Sequence, residues 1–168
     1  RVWSFSRTSS GSVVLIGTGS GVNYLIDTLQ TRSLGGRHDD QFLGGRQLVI
    51  LWSTRDSVLY NWISDLVGQM ISPGDTHLRI VLANTDKSGV VKVAWPQGSN
   101  QHLSRAAQIV THATGRIDFG REIPVNSHVF FQGSSKVGRA VRTACKKNNC
   151  WVYNGTGGKE VDSTSRKP

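Results

Sequence analysis

The chain predicts an α/β fold: a doubly wound, mostly parallel, five-stranded sheet with helices on both faces. Three observations carry that expectation. Short uninterrupted apolar runs recur along the chain, as in strands buried on both faces. Stretches with apolar residues at helical spacing alternate with these runs. The first run opens directly into a glycine cluster, which is followed at once by such a helical stretch.

In chain order, Ser12 to Ile16 reads as the first buried strand, and Val22, Leu25, Ile26 and Leu29 then recur on one helical face. The polar, glycine-rich stretch from Arg32 to Arg46 reads as an exposed loop. Gln47 to Trp52 is the second strand. Val58, Leu59, Trp62, Ile63, Leu66, Val67 and Met70 mark an amphipathic helix capped by Asp56 or Ser57 and stopped at Ser72-Pro73-Gly74. Leu78 to Ala83 is the third strand, and Asn84 to Gly89 carries turn chemistry. Val90 to Trp95 alternates like an extra hairpin strand, and Leu103, Ala106, Ala107, Ile109 and Val110 suggest a third helix. His128 to Gln132 is the fourth strand, leading through Gly133-Ser134-Ser135 into a helix with Val137, Ala140, Val141 and Ala144 inward. Cys150 to Tyr153 closes the sheet as its fifth strand. The domain is thus expected over 1–153, with 154–168 as a mobile tail.

The totals narrow the function classes. At 168 residues and 37% hydrophobic content the chain suits one soluble domain, and no apolar run approaches the roughly 18–20 residues of a membrane span. It carries no initiator Met and is expected to be a segment of a larger protein. The net charge of +9 suits an anionic partner. The basic residues are mostly scattered singly, without interleaved aromatics, so no nucleic acid is expected. The one basic cluster, Arg139, Arg142, Lys146 and Lys147, reads as a solvated helix face.

Cys145 and Cys150 match neither a C-x-x-C nor a zinc pattern; reduced thiols are the default, with a disulfide left open. The five histidines show no ligand spacing, so no metal is expected, and His112 is placed near a helix end, where its charged form is favoured. Trp52, Trp62 and Trp95 read as packing residues. No Ser–His–Asp set or paired carboxylates in a cleft supports hydrolysis.

Positive signals for chemistry sit at strand ends. Gly17-Thr18-Gly19-Ser20-Gly21 joins the first strand to the first helix, where glycines let backbone N–H groups approach a phosphate and the helix dipole favours the anion. The spacing is G-x-G-x-G, and with no following Lys it is not an ATP-splitting loop. The alternative is a tight turn without a ligand. At the end of the second strand stand Ser53-Thr54-Arg55-Asp56. A planar Arg fork flanked by hydroxyls suits the 2′-phosphate of NADPH. Asp56 would suit the free 2′-hydroxyl of NADH, but it is also a good helix cap.

Taken together, Val14–Val22 (VLIGTGSGV), Leu51–Asp56 (LWSTRD), Gly115–Phe119 (GRIDF), Val129–Gly133 (VFFQG) with Val137 to Cys145 behind it, and Trp151–Asn154 (WVYN) resemble the NAD(P)-binding domain of the ferredoxin-NADP reductase superfamily. The closer likeness is to its ferric-reductase and NADPH-oxidase branch. The resemblance implies an oxidoreductase segment that takes NADPH, or NADH, and passes hydride to FAD on a neighbouring barrel domain. Electrons then go on to heme, a metal or oxygen. It implies a membrane heme domain in the same parent chain, with this domain on the cytosolic face. By the same analogy Gly17, Thr18, Gly19, Ser20 and Gly21 hold pyrophosphate, Ser53 and Arg55, with Thr54 between, take the 2′-phosphate, and Gln132, Gly133 and Ser134 lie beside the nicotinamide. The family usually has Cys-Gly-Pro where this chain has Gln132-Gly133-Ser134, so no catalytic residue is assigned. A degenerate NADPH-binding regulatory module and a basic nucleic-acid or partner-binding domain are the alternatives.

Overall fold

The computed structural model describes residues 11–33, 46–71, 77–86 and 109–154. Six strands form one sheet: β1 (Val13–Thr18), β2 (Leu48–Thr54), β3 (Leu78–Asn84), β4 (Val110–Thr114), β5 (His128–Gln132) and β6 (Trp151–Asn154). Their spatial order is β4-β3-β2-β1-β5-β6, and every pairing is parallel. Helix α1 (Asn23–Ser33) follows β1 through a 3-10 turn at Gly19–Val22. Helix α2 (Ser57–Met70) follows β2, the single turn α3 (Phe119–Glu122) precedes β5, and α4 (Ser135–Lys147) joins β5 to β6.

Alternation along the central strands sends side chains to two separate cores. Val13, Leu48, Ile50, Trp52, Ile80 and Leu82 meet Leu25 and Leu29 of α1 and Tyr60, Ile63 and Val67 of α2. On the opposite face Val14, Ile16, Val49, Leu51, Val81 and Phe131 meet Ile123, Val141, Ala144 and Cys145. A strand buried on both faces needs apolar residues at every position, which is why β1 and β2 read as unbroken runs. Each fully buried Val, Leu or Ile contributes roughly 1.5–3 kcal/mol by leaving water.

The helix ends follow local rules. Asp56 caps α2 by accepting hydrogen bonds from the N–H groups of Val58 (2.9 Å) and Leu59 (3.0 Å). Helix α4 ends at Asn149, whose φ of 53° is left-handed, and the Cys150 N–H returns to the Cys145 carbonyl at 2.9 Å. That closure brings the free, buried thiols of Cys145 and Cys150 into contact.

The doubly wound α/β architecture is as expected, with several corrections. The sheet has six strands rather than five. The extra one is β4, whose first residue, Val110, was assigned to a helix; β4 pairs along β3 from Ile80↔Val110 to Asn84↔Thr114. His112 consequently lies in a strand and not at a helix end, and burial lowers its pKa rather than favouring its charged form. Helix α1 runs on through Arg32 and Ser33, and β6 includes Asn154. Helix α2 buries Tyr60, Ile63, Ser64 and Val67, leaving Val58 and Trp62 exposed. In α4, Ala140 faces outward while Gly138 and Cys145 are buried. The Ser72-Pro73-Gly74 stop, the Val90–Trp95 hairpin strand, the Leu103–Ala107 part of the third helix, Trp95 and the tail from 155 lie outside the described residues, as does most of the Arg32–Arg46 loop.

Candidate functional site

Chain direction across the sheet reverses at β1. Strands β2, β3 and β4 step outward on one side, and β5 and β6 then build the other. At such a switch point the two flanking crossovers leave in opposite directions, and a crevice opens beyond the carboxyl ends of β1 and β5. The register brings the three sequence-predicted segments to this edge. Gly17 is paired with Trp52 on one side and Gln132 on the other, and Thr18 is paired with Ser53.

The glycine segment is not one continuous loop. Gly17 and Thr18 complete β1, and Gly19–Val22 make a 3-10 turn ahead of α1. Two of the glycines answer to packing. A Cβ on Gly17 would stand 2.6 Å from the Gly21 carbonyl oxygen, and one on Gly21 would stand 2.9 Å from that of Gln132. Gly19 differs. Its φ is 54°, and a Cβ there would meet nothing within 4 Å among the described residues. The mouth of the first crossover is therefore bounded by bare main chain at its most exposed turn.

The orientation of that main chain is held from below. The indole Nε1 of fully buried Trp52 donates to the Gly19 carbonyl oxygen at 3.1 Å. Among the described residues every peptide is trans, so the N–H of Ser20 points opposite to the carbonyl that Trp52 holds. It belongs to the first helical turn, whose N–H groups have no intrahelical acceptor. Trp52 was read as packing alone; nothing in the sequence separates a buried indole that fills space from one that also aims a peptide.

Across the crevice the β5–α4 turn interlocks with β1. A Cβ on Gly133 would stand 2.3 Å from the Thr18 hydroxyl oxygen, so a side chain there would require Thr18 to turn away. Gly133 and Ser134 are exposed, and Ser134 caps α4 by accepting from the Val137 N–H at 3.5 Å. Gln132 is half-buried, and its Oε1 is buried with no hydrogen-bond partner. A buried acceptor left unpaired costs roughly 1–3 kcal/mol.

At the end of β2 the four candidate residues separate in role. Ser53 is half-buried beside Thr18. Thr54 is buried: its hydroxyl accepts from the Asp56 N–H at 3.1 Å, and its carbonyl accepts from the Thr85 N–H at 2.8 Å. Asp56 is the α2 cap. Arg55 is exposed and forms no ion pair among the described residues. Of the two readings available at this strand end, the carboxylate is held by its own helix and the cation is free.

Asn84, buried at the end of β3, was missed by sequence reasoning. Its Nδ2 donates to Ser57 Oγ at 3.0 Å, and its Oδ1 accepts from the Asp86 N–H at 2.9 Å, bracing the start of α2 next to Arg55. Behind Trp52, the ring of Tyr60 stacks at 6.4 Å, and the Tyr60 hydroxyl meets Nδ1 of His112 at 2.8 Å. Burial pushes the Tyr60 phenol up to about 12 and holds His112 below its ordinary range. The same hydroxyl lies 3.4 Å from the Leu82 carbonyl oxygen, and which partner receives its single proton follows the tautomer of His112.

Comparison with known protein families yields no match to this chain, and comparison with curated proteins yields none either.

Proposed function

We propose that this domain binds NADPH across the β1–β5 crevice and serves a flavin-dependent oxidoreductase. One observation carries the reading: the Trp52-anchored peptide after Gly19 turns a free N–H into an open mouth at the switch point. The residues around it suit the ligand. Ser20 and Gly21 face the pyrophosphate with backbone amides. Ser53 and Arg55 supply a hydroxyl and a planar fork for the 2′-phosphate, while Asp56 is engaged as a cap. The unpaired Gln132 Oε1 suits the amide N–H of the nicotinamide carboxamide. When bound, the reduced nicotinamide supplies the hydride. This chain's part is to fix its pose and to hold the ring at the crevice for a flavin on a neighbouring domain. No helix among the described residues is long and apolar enough to cross a membrane. Attachment to the cytosolic face of a membrane, beside a heme domain, belongs to this proposal.

Calorimetric titration with NADPH and NADH tests it. Wild-type protein takes up NADPH, and Arg55→Ala loses about 10- to 100-fold in NADPH affinity while NADH is unaffected, since a charge-assisted hydrogen bond contributes about 1.5–3 kcal/mol. No heat with either dinucleotide overturns the reading. Gln132, at the place of the family cysteine, favours a second reading, a binding module without turnover. Reduction of FAD on the adjoining domain by NADPH decides between the two.

A further inference from the structure

The outward face of α4 bears Lys136, Arg139, Arg142, Lys146 and Lys147, all exposed, and the helix contains no acidic residue. Among the described residues none of the five has an ion-pair partner. At 3.6 residues per turn they cover an arc of about 140° over a length on the order of 20 Å, with only Thr143 among them and Ala140 at its edge. The fold itself accounts for just two. Lys146 and Lys147 lie in the last turn, where cations complement the helix dipole. Lys136 sits in the first turn, where the dipole opposes it. Arg139 and Arg142 sit mid-helix, each at i, i+3 or i, i+4 from another cation, a spacing that is mutually repulsive. Three cations are therefore held against the helix's own preference, which points to an anion supplied from outside.

The neighbouring element widens the face. Asn148 donates to the carbonyls of Gly120 (3.1 Å) and Ile123 (2.6 Å), fastening α3 alongside α4. Exposed Arg121 thereby joins the patch, while the Asp118 carboxylate is taken up by the Gly120 N–H at 3.0 Å. The cations come from two adjacent elements on the outermost layer of this side of the sheet. Helix α4 carries no aromatic side chain to stack on a base. Such a face suits adsorption to a broad, planar anionic surface.

We propose that the α4 face docks on the anionic headgroup surface of a lipid bilayer. The proposal deepens the membrane attachment proposed above and does not depend on dinucleotide binding, which the NADPH titration tests separately. It is tested by co-sedimentation of the protein with phosphatidylcholine vesicles, with and without phosphatidylserine. Wild-type protein sediments only with the phosphatidylserine vesicles and is released by salt. Arg139→Gln/Arg142→Gln/Lys146→Gln loses affinity on the order of 100-fold, at about fivefold per cation. This variant relieves repulsion within the helix, so its circular dichroism and its NADPH heat remain those of wild type. The charge-matched Lys159→Gln/Arg166→Gln/Lys167→Gln variant keeps most of its vesicle affinity. Equal losses in the two variants would assign binding to overall charge and overturn the proposal. So would vesicle binding by the first variant at wild-type strength, or retention of duplex oligonucleotide but not vesicles by wild-type protein.

Discussion

Trp52 donates its indole N–H to the carbonyl of Gly19 across 33 positions of sequence, at 3.1 Å, tying the end of β2 to the first turn after β1. The bond joins two neighbouring strands at their carboxyl ends and sets the direction of the Gly19–Ser20 peptide. Because Trp52 is fully buried and stacked on Tyr60, the donor cannot follow the loop if the loop moves. Orientation of the glycine turn is thus built into the core on the α1–α2 face.

Trp52→Phe keeps a ring in the core and removes the donor. The Gly19 peptide then loses its anchor, and NADPH affinity is expected to fall about fivefold, the worth of one hydrogen bond of about 1 kcal/mol. Calorimetry read beside the melting temperature checks this. Unchanged affinity would leave Trp52 a packing residue.

Gln132→Met replaces an unpaired buried acceptor with an apolar side chain of similar length. Stability is expected to rise by about 1 kcal/mol, by relief of the unmet hydrogen bond, while NADPH affinity drops. A gain in stability without a loss of affinity would show that Oε1 is not aimed at the ligand.

Asp56→Ala removes the two capping bonds of α2 and is expected to cost about 1 kcal/mol in urea unfolding. NADPH affinity should change little. A selective loss of NADH binding would return the carboxylate to the ribose.

Stability depends on pH through buried groups, among them two histidines and a tyrosine. Burial lowers the pKa of His112 and of His128 below 6.5, for His128 with the added charge of Arg46. The unfolded chain takes up these protons near pH 6.5 and the folded chain only below it, so stability is full above about 6.5 and falls with acid beneath it. The Tyr60 phenol, raised from 10.0 to about 12, works at the other end. The unfolded chain ionises first, so stability is full below pH 10 and declines as pH climbs toward 12. In melting temperatures measured across pH, His112→Gln should lose its own share of the acid slope, leaving that of His128, and Tyr60→Phe its share of the alkaline slope.

The parts of the fold that were legible in sequence are those where chemistry repeats locally. β1, β2, β3 and β5 are dominated by consecutive apolar residues because both faces are covered, with Arg79 the break in β3 and polar His128 and Gln132 bounding β5. β4 was not legible. As a partly exposed edge strand its only fully buried residue is Val110, and it is a strand only because β3 offers it an edge. The width of α2's apolar stripe misled for a related reason. Val58 and Trp62 match helical spacing, yet the buried seam runs through Tyr60, Ile63, Ser64 and Val67. In the candidate site, the convergence of Gly17, Ser53 and Gln132 could be anticipated from strand order, since all lie at or just before strand ends. What each glycine answers to could not. Gly17 and Gly21 are demanded by backbone packing, whereas Gly19 is demanded by a left-handed turn over open space.

The most direct measurement is an amide-resolved NMR titration of the protein with NADPH. The account predicts that the Ser20 and Gly21 N–H resonances move downfield in proportion to saturation, as amides that gain an anionic acceptor do, with Arg55 side-chain signals moving beside them. Resonances at the β1 and β5 carboxyl ends that stay in place while others shift, or that stay in place throughout, would contradict it.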